Sequence, residues 1–252
     1  MAINGRNYGS SSPENSFHES AHTSSKTLNL GKVFGVMFLW LLATAGIAFG
    51  VGYLFAQWLV NDPNGARGAM FGFMFGSAAL ALILTFFIQF SVLKKGKGMI
   101  IFSSLYVACM GVLLSTFTVF IDWRILGIAF GITSAIFGVL ALIGMIAKNV
   151  RPMAYVGMMV LIGSLMVTLF TWLFTLFLPS TVGFTMLWIL DFAIFGAMLL
   201  LIIVDMHNIN KICENCDMDT NLTLYCALTL YTDFIYIFIK IVYYLAIATS
   251  RN

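Results

Sequence analysis

The part of the chain that decides its fold is residues 222–248, which read LTLYCALTLYTDFIYIFIKIVYYLAIA. Only two residues in this stretch, Asp233 and Lys240, carry a charge at pH 7. Its apolar residues do not alternate with polar ones as they do in the strand of a membrane barrel. Because about 20 mostly apolar residues cross the hydrocarbon core of a bilayer as a helix, the stretch predicts a transmembrane helix.

The rest of the chain has the same character, since 61% of its 252 residues are hydrophobic and only 9% are charged. Soluble domains average roughly 25% charged residues, so this composition excludes an ordinary soluble protein. The net charge of +3 is small, and no basic patch is interleaved with aromatic residues. We therefore expect the lipid bilayer to be the main partner and nucleic acid not to be one.

Seven apolar runs predict an all-α integral membrane protein built as a bundle of seven transmembrane helices. The runs lie at residues 33–59, 69–93, 99–121, 125–147, 152–178, 182–209 and 222–248. Short linkers with Pro, Gly and Asn separate most of them, which favours one compact bundle of antiparallel neighbours. A re-entrant loop is an alternative for the seventh run, and both ends of the chain would then lie on one side.

Residues 1–30 differ from the remainder because they are rich in Ser, Asn, Gly and His. The composition predicts a disordered polar tail at 1–30, followed by a transmembrane domain at 31–252. The tail lacks the basic start and short apolar core of a secretory signal peptide.

The distribution of Lys and Arg predicts the orientation of the bundle. Nine of them fall in the tail and in the second, fourth and sixth linkers, whereas three fall on the opposite side of the membrane. Positive residues concentrate on the cytoplasmic side, so the N-terminus is expected in the cytoplasm. The minimal loops favour a bacterial inner membrane, with a eukaryotic endomembrane as the alternative.

Small residues recur at helix-packing spacing in three of the predicted spans. They are Gly68, Gly72 and Gly76 in the second span, Gly46 and Gly50 in the first, and Gly127 and Gly131 in the fourth. Such stripes predict faces at which helix backbones approach each other closely.

Four charged residues lie inside the last two predicted spans: Asp191, Asp205, Asp233 and Lys240. A charge at membrane depth costs about 2.5–3.5 kcal/mol, so each needs a partner, a water path or a proton. Asp191 and Asp205 lie about 40° apart on one helix face, and Asp233 and Lys240 also share a face. If the two faces meet, all four residues form one polar seam, with Asp205 and Asp233 in its cytoplasmic half.

Two close carboxylates in a low dielectric do not both ionise without cost. Asp205 and Asp233 are therefore expected either to share a proton in a hydrogen-bonded clasp or to hold a cation between them. Calcium suits such a site because it accepts oxygen ligands in flexible geometry. Two carboxylates alone predict weak calcium binding, which a conduction path requires.

The sequence ALTLYTDFIYIF at residues 227–238 resembles the last-helix signature of the Bax inhibitor family, which carries an aspartate. Weaker similarity lies at residues 111–115, 133–138 and 157–170, and the resemblance extends from about Gly31 to the C-terminus. It implies a seven-helix fold with the last helix central. It also implies a pH-sensitive calcium leak governed by an aspartate pair, here Asp205 and Asp233.

The chain departs from the family pattern in two places. The sixth helix reads Val204-Asp205-Met206-His207 in place of a Tyr-Asp-Thr-Gln-like string, and residues 69–92 contain no arginine to latch onto Asp205. We expect Lys240, together with Asp191, to supply the countercharge on the seam instead. Replacing Lys240 by Met is then expected to shift the pH dependence of ion flux.

Several other functions are alternatives to the calcium leak. An intramembrane aspartyl protease needs a Gly-x-Gly-Asp string, which is absent, and we expect neither an enzyme nor a cofactor. A proton-coupled transporter of a small molecule, or a stress-response or interaction protein without flux, remains an alternative. Cys213 and Cys216 form a Cys-x-x-Cys without a complete zinc ligand set, so reduced thiols are expected there.

Overall fold

The structure, a computed structural model, describes residues 13–92, 98–174, 180–215 and 219–250. Within these ranges the chain forms seven helices and no strand. The helices are α1 (Pro13–Asn61), α2 (Pro63–Val92), α3 (Gly98–Phe120), α4 (Trp123–Ile146), α5 (Arg151–Phe174), α6 (Ser180–Asn215) and α7 (Thr220–Ser250). The prediction of an all-helical membrane bundle is confirmed.

Aspartates at the linkers set the start of several helices. The Asp62 carboxylate accepts a hydrogen bond from the Gly65 backbone N–H at 3.1 Å, and Pro63 occupies the first helical position of α2. The Asp122 carboxylate accepts from the Arg124 N–H at 3.0 Å and caps α4 in the same way. These side chains satisfy backbone donors that the first turn of a helix leaves unpaired.

Six of the described helices are long and apolar enough to cross a membrane, namely all except α5. The described apolar part of α5, Arg151–Val167, is shorter, and residues 175–178 of the predicted fifth span lie outside the described ranges. Helix α7 is continuous over 31 residues, which corresponds to about 45 Å. A continuous helix of this length favours a full span over the re-entrant alternative.

The first helix differs from the predicted domain boundary. Helix α1 begins at Pro13, inside the segment that the composition assigned to a disordered tail, and its apolar part is Asn29–Asn61. After Pro13, no proline and no glycine interrupts the chain until Gly31. Extending an existing helix by one residue costs far less free energy than nucleating a new one. The polar segment is therefore added to the helix that the apolar span forms.

Helix α7 occupies the centre of the bundle and packs against α1, α2, α3, α4 and α6, whereas α5 packs on α6. Half of its most apolar window is buried, compared with 22% for α1 and α2. Tyr231, Leu230 and Ile237 of α7 are fully buried. The outer helices instead expose large apolar side chains, as expected for surfaces that face lipid.

The glycine stripes do not mark the close helix contacts. A Cβ atom built at any of the seven predicted stripe glycines would meet nothing within 4 Å. The backbones approach each other at other glycines, where such an atom would lie 2.8 Å from Ile47 (at Gly111) or 2.7 Å from the Ile203 carbonyl oxygen (at Gly144). A small residue permits close approach, but these glycines border open space instead of a closely packed neighbour.

Replacing Gly144 by Ala is expected to destabilise the bundle by about 1–3 kcal/mol, the usual range for overpacking. The new methyl group would collide with the backbone of α6, at Ile203 and the Met206 Cβ, which moves less readily than the end of a side chain. Thermal unfolding of the detergent-solubilised protein measures this. The matched control is Gly131→Ala on the same helix, which has open space around it and should unfold like the wild type.

Candidate functional site between the sixth and seventh helices

Asp233 lies on the central helix α7 and is buried, with 7% of its surface exposed. Its neighbours Tyr231 and Phe234 are also buried, and Phe234 packs against Phe130 and Phe137 of α4 with ring centroids 5.6 Å apart in each case. The Asp233 Oδ2 atom has no hydrogen-bond partner within the described part of the chain. An unpaired buried carboxylate oxygen is costly and indicates a place for a proton, a water molecule or an ion.

Asp205 lies on α6 and is half-buried, between the buried residues Val204 and Met206. Its carboxyl group is close enough to that of Asp233 for the two to interact electrostatically. Among the described residues, no Lys, Arg or His forms an ion pair with either aspartate. The structure therefore brings two acidic groups together in apolar surroundings without a countercharge.

Asp191, Lys240 and Tyr244 form a second polar cluster between the same two helices. The Lys240 ammonium group donates to Asp191 Oδ1 in an ion pair, and the Tyr244 hydroxyl donates to Asp191 Oδ2 at 2.9 Å. The Tyr244 ring stacks on Phe192 with centroids 5.1 Å apart. Lys240 thus neutralises Asp191, the residue together with which it was expected to supply the countercharge on the seam.

The two pairs lie at different depths in the bundle. Asp205 is fourteen residues from Asp191, about 21 Å along α6, whereas Asp233 is seven residues from Lys240, about 10 Å along α7. Asp205 and Asp233 therefore both lie on the same side of the Asp191–Lys240 pair, towards the end of α6 and the start of α7. The hydrogen-bonded clasp and the cation held between these two carboxyl groups both stay predictions.

Chemically, two neighbouring carboxyl groups suit a shared proton or a small cation. Calcium takes six to eight oxygen ligands, and two side chains supply only part of this number. The described residues contain no group of three or more His, Cys, Asp and Glu side chains arranged to hold a metal. A cation between Asp205 and Asp233 would therefore keep most of its water ligands and bind weakly.

Tyr231 fixes the position of α7 one half-turn before Asp233. Its hydroxyl lies 2.6 Å from the Thr44 hydroxyl of α1, in a buried hydrogen bond. The rings of Trp40 and Tyr106 meet it edge-on, with centroids 6.3 and 6.4 Å away. Contacts with α1 and α3 thus hold the segment of α7 that carries the aspartate.

Replacing Tyr231 by Phe is expected to cost about 1 kcal/mol of stability, because it removes a buried hydrogen bond and leaves the Thr44 hydroxyl unpaired. Thermal unfolding in detergent measures the loss. The matched control is Tyr53→Phe, whose hydroxyl makes an exposed hydrogen bond to Gln57. An equal effect of the two substitutions would contradict a special role for the Thr44–Tyr231 bond.

Two further residues of α6 and α7 have buried polar atoms, and sequence reasoning assigned neither of them a role in the aspartate pair. His207 is buried, its Nδ1 lies 3.3 Å from the Gly144 carbonyl oxygen, and its Nε2 has no partner among the described residues. The Tyr236 hydroxyl is also buried and unpaired there. His207 stands two residues after Asp205, where the family pattern has an uncharged residue. This difference from the family pattern is the feature of the sequence that could have drawn attention to it.

Cys213 is buried, whereas Cys216 lies outside the described residues, so the Cys-x-x-Cys expectation stays a prediction.

Comparison with known proteins gives one match. The family model described as "Inhibitor of apoptosis-promoting Bax1" matches residues 27–250, which is nearly the whole chain. No curated protein and no solved structure matches the chain significantly.

Proposed function

Because the chain belongs to the Bax inhibitor family, we propose that it is a pH-sensitive leak pathway for calcium and other cations, controlled by Asp205 and Asp233. One observation carries the proposal: the buried Asp233 carboxylate has an unpaired oxygen and interacts with a second carboxylate, and no described basic residue forms an ion pair with either. A purely structural role would favour a paired or hydrogen-bonded aspartate at this depth.

In the proposed mechanism, protons and cations compete for the space between the two aspartates. A proton neutralises part of the pair and leaves the apolar bundle closed around it. A cation that replaces the proton neutralises both carboxylates and, because it keeps water ligands, leaves again easily. No bond is made or broken, so the proposed function is non-enzymatic and needs no cofactor other than the permeant ion.

Orientation and membrane are part of the proposal. Nine of the Lys and Arg residues fall on the side of the N-terminus and three on the other side, which favours a cytoplasmic N-terminus. Asp205 then lies nearer the cytoplasm than Asp233. A bacterial inner membrane is favoured by the minimal loops, and a eukaryotic endomembrane is the alternative.

Two other functions use the same residues. A proton-coupled transporter of a small molecule would employ the pair as its proton site, and a stress-response or interaction protein would use it only to hold a conformation. Membership of the Bax inhibitor family is the reason why the ion leak is proposed ahead of these two functions.

The proposal is tested by reconstituting the purified protein in vesicles loaded with a calcium-sensitive dye. We expect calcium entry well above that of empty vesicles, with a rate that changes between pH 5 and 8. The same vesicles loaded with a pH dye report proton movement, which a proton-coupled transporter would produce only with its substrate present.

The matched control is Asp219→Asn, which removes a carboxylate at the start of α7, outside the pair. It should leave the calcium rate and its pH profile unchanged. Correctly folded protein without calcium flux at any pH would contradict the leak and favour an interaction role.

A further inference from the structure

An apolar cavity of about 460 Å³ lies between α1, α3, α4 and α7. Its floor is formed by Phe234, Ile235 and Phe238 of α7, and its walls include Ala45 of α1 and Gly127 of α4. Ligand pockets in proteins have volumes of about 300–1,000 Å³, so the cavity is large enough for a sizeable apolar molecule.

The cavity offers nothing that would hold water. Its lining contains two hydroxyl groups, of Thr44 and Thr118. The Thr44 hydroxyl is bonded to Tyr231, and the Thr118 hydroxyl donates to the Ser115 carbonyl oxygen at 2.7 Å. Buried water needs two to four free polar partners, and an apolar cavity without them stays dry or takes an apolar guest.

The opening of the cavity is continuous with the lipid-facing surface. Phe49, Trp123 and Phe130 line the cavity and are also about half or more exposed on the outside of the bundle. Trp123 is the first residue of α4 and thus lies near one end of the span, the depth at which tryptophans meet lipid headgroups. The molecules present at this opening are therefore membrane lipids.

A positive charge stands beside the opening. The exposed Arg124 guanidinium lies 5.8 Å from the centre of the Trp123 ring. Arginine binds phosphate groups well because its planar donors match the phosphate oxygens. The cavity thus combines an apolar interior, an outlet to the bilayer and a phosphate-binding side chain at the depth of the headgroups.

We propose that this cavity between α1, α3, α4 and α7 binds one phospholipid of the adjacent leaflet, with an acyl chain against Phe234 and Ile235 and the phosphate on Arg124. The chain end then touches the residue next to Asp233, so a bound lipid supports the segment of α7 that carries the aspartate. Lipid binding itself does not depend on the proposed leak.

The test uses the full-length protein in phosphatidylglycerol and phosphatidylcholine vesicles that contain a trace of phosphatidylglycerol with a diazirine near the end of one acyl chain. Light activates the diazirine, and mass spectrometry locates the labelled residues. We expect label on the α7 segment around Phe234 and Ile235, although both side chains are almost completely buried by the neighbouring helices.

Three variants separate a bound lipid from lipid that merely surrounds the protein. Gly127→Phe places a ring in the cavity, where a Cβ atom meets nothing within 4 Å, and should lower the α7 label at least fivefold. Gly131→Phe, on the same helix but not lining the cavity, should leave it unchanged. Ala45→Phe fills the cavity from α1 and should act like Gly127→Phe.

Arg124→Gln should lower the α7 label severalfold, whereas Arg67→Gln, which removes the same charge elsewhere, should not. Label confined to outward-facing residues, or equal α7 label in the Gly127→Phe and Gly131→Phe proteins, would overturn the proposal. Thermal unfolding of each variant confirms that it is folded before the labelling is compared.

Discussion

Replacing Asp233 by Asn is expected to flatten the pH dependence of calcium flux between pH 5 and 8 and to lower the flux about tenfold at pH 8. The amide has nearly the shape of the carboxylate but neither gains nor loses a proton in this range. It also removes one of the two charges that attract the cation. Vesicle flux measured at half-unit pH steps gives both the rate and its profile.

The sign of the wild-type profile follows from the missing countercharge. Residues 69–92 of α2 contain no charged side chain, and Lys240 is engaged with Asp191. The ionised pair can then be neutralised by a cation but not by a basic residue, so calcium occupancy should rise as protons leave. We expect flux to increase from pH 5 to pH 8.

A double-variant cycle shows whether the two aspartates act as one unit. Asp205→Asn should flatten the profile as well, and the Asp205→Asn/Asp233→Asn protein should be little worse than either single variant, because groups that act together are not additive. Independent, additive losses would mean that each aspartate acts alone. A wild-type profile that falls towards pH 8 would contradict the competition between protons and calcium.

The sequence predicts where the helices lie because the length of an apolar run depends only on residues that are adjacent in the chain. Each linker with an aspartate or proline, such as Asp62-Pro63, also ends one helix and starts the next through contacts within a few residues. The polar composition of residues 13–30 does not reveal that residues from Pro13 onward continue the helix formed by the apolar span that follows them.

Contacts between helices were harder to predict because they depend on register. The spacing of Asp233 and Lys240 predicts that they share a helix face. It does not predict which acidic residue pairs with Lys240. Its pairing with Asp191 fixes the antiparallel register of α6 and α7 at this position. For the same reason, Gly144 is a close contact although it belongs to no glycine stripe, because Ile203 and Met206 of α6 happen to face it.

Replacing Lys240 by Met is expected to destabilise the bundle by about 2 kcal/mol, somewhat less than the 3–5 kcal/mol typical of breaking a fully buried ion pair. The methionine fills most of the lysine volume but leaves Asp191 with the Tyr244 hydroxyl as its one hydrogen-bond partner among the described residues. The expected loss of stability is smaller because the pair is partly exposed, with 20% of the Lys240 side chain and 26% of the Asp191 side chain accessible. Thermal unfolding in detergent measures the loss, and Lys211→Met, at an exposed position of α6, is the control.

The Asp191→Asn/Lys240→Met protein separates the cost of an orphaned charge from the loss of the pair itself. Removing both charges leaves no unpaired ion, so the double variant should recover most of the stability that Lys240→Met loses.

Calcium flux through the same proteins tests the second role assigned to Lys240, that of a countercharge on the seam. If its charge also acts on the seam, the pH profile should shift in both variants, since Asp233 lies only about 10 Å away along α7. An unchanged profile in a destabilised protein would restrict Lys240 to holding α6 and α7 together and would assign it no part in the pH response.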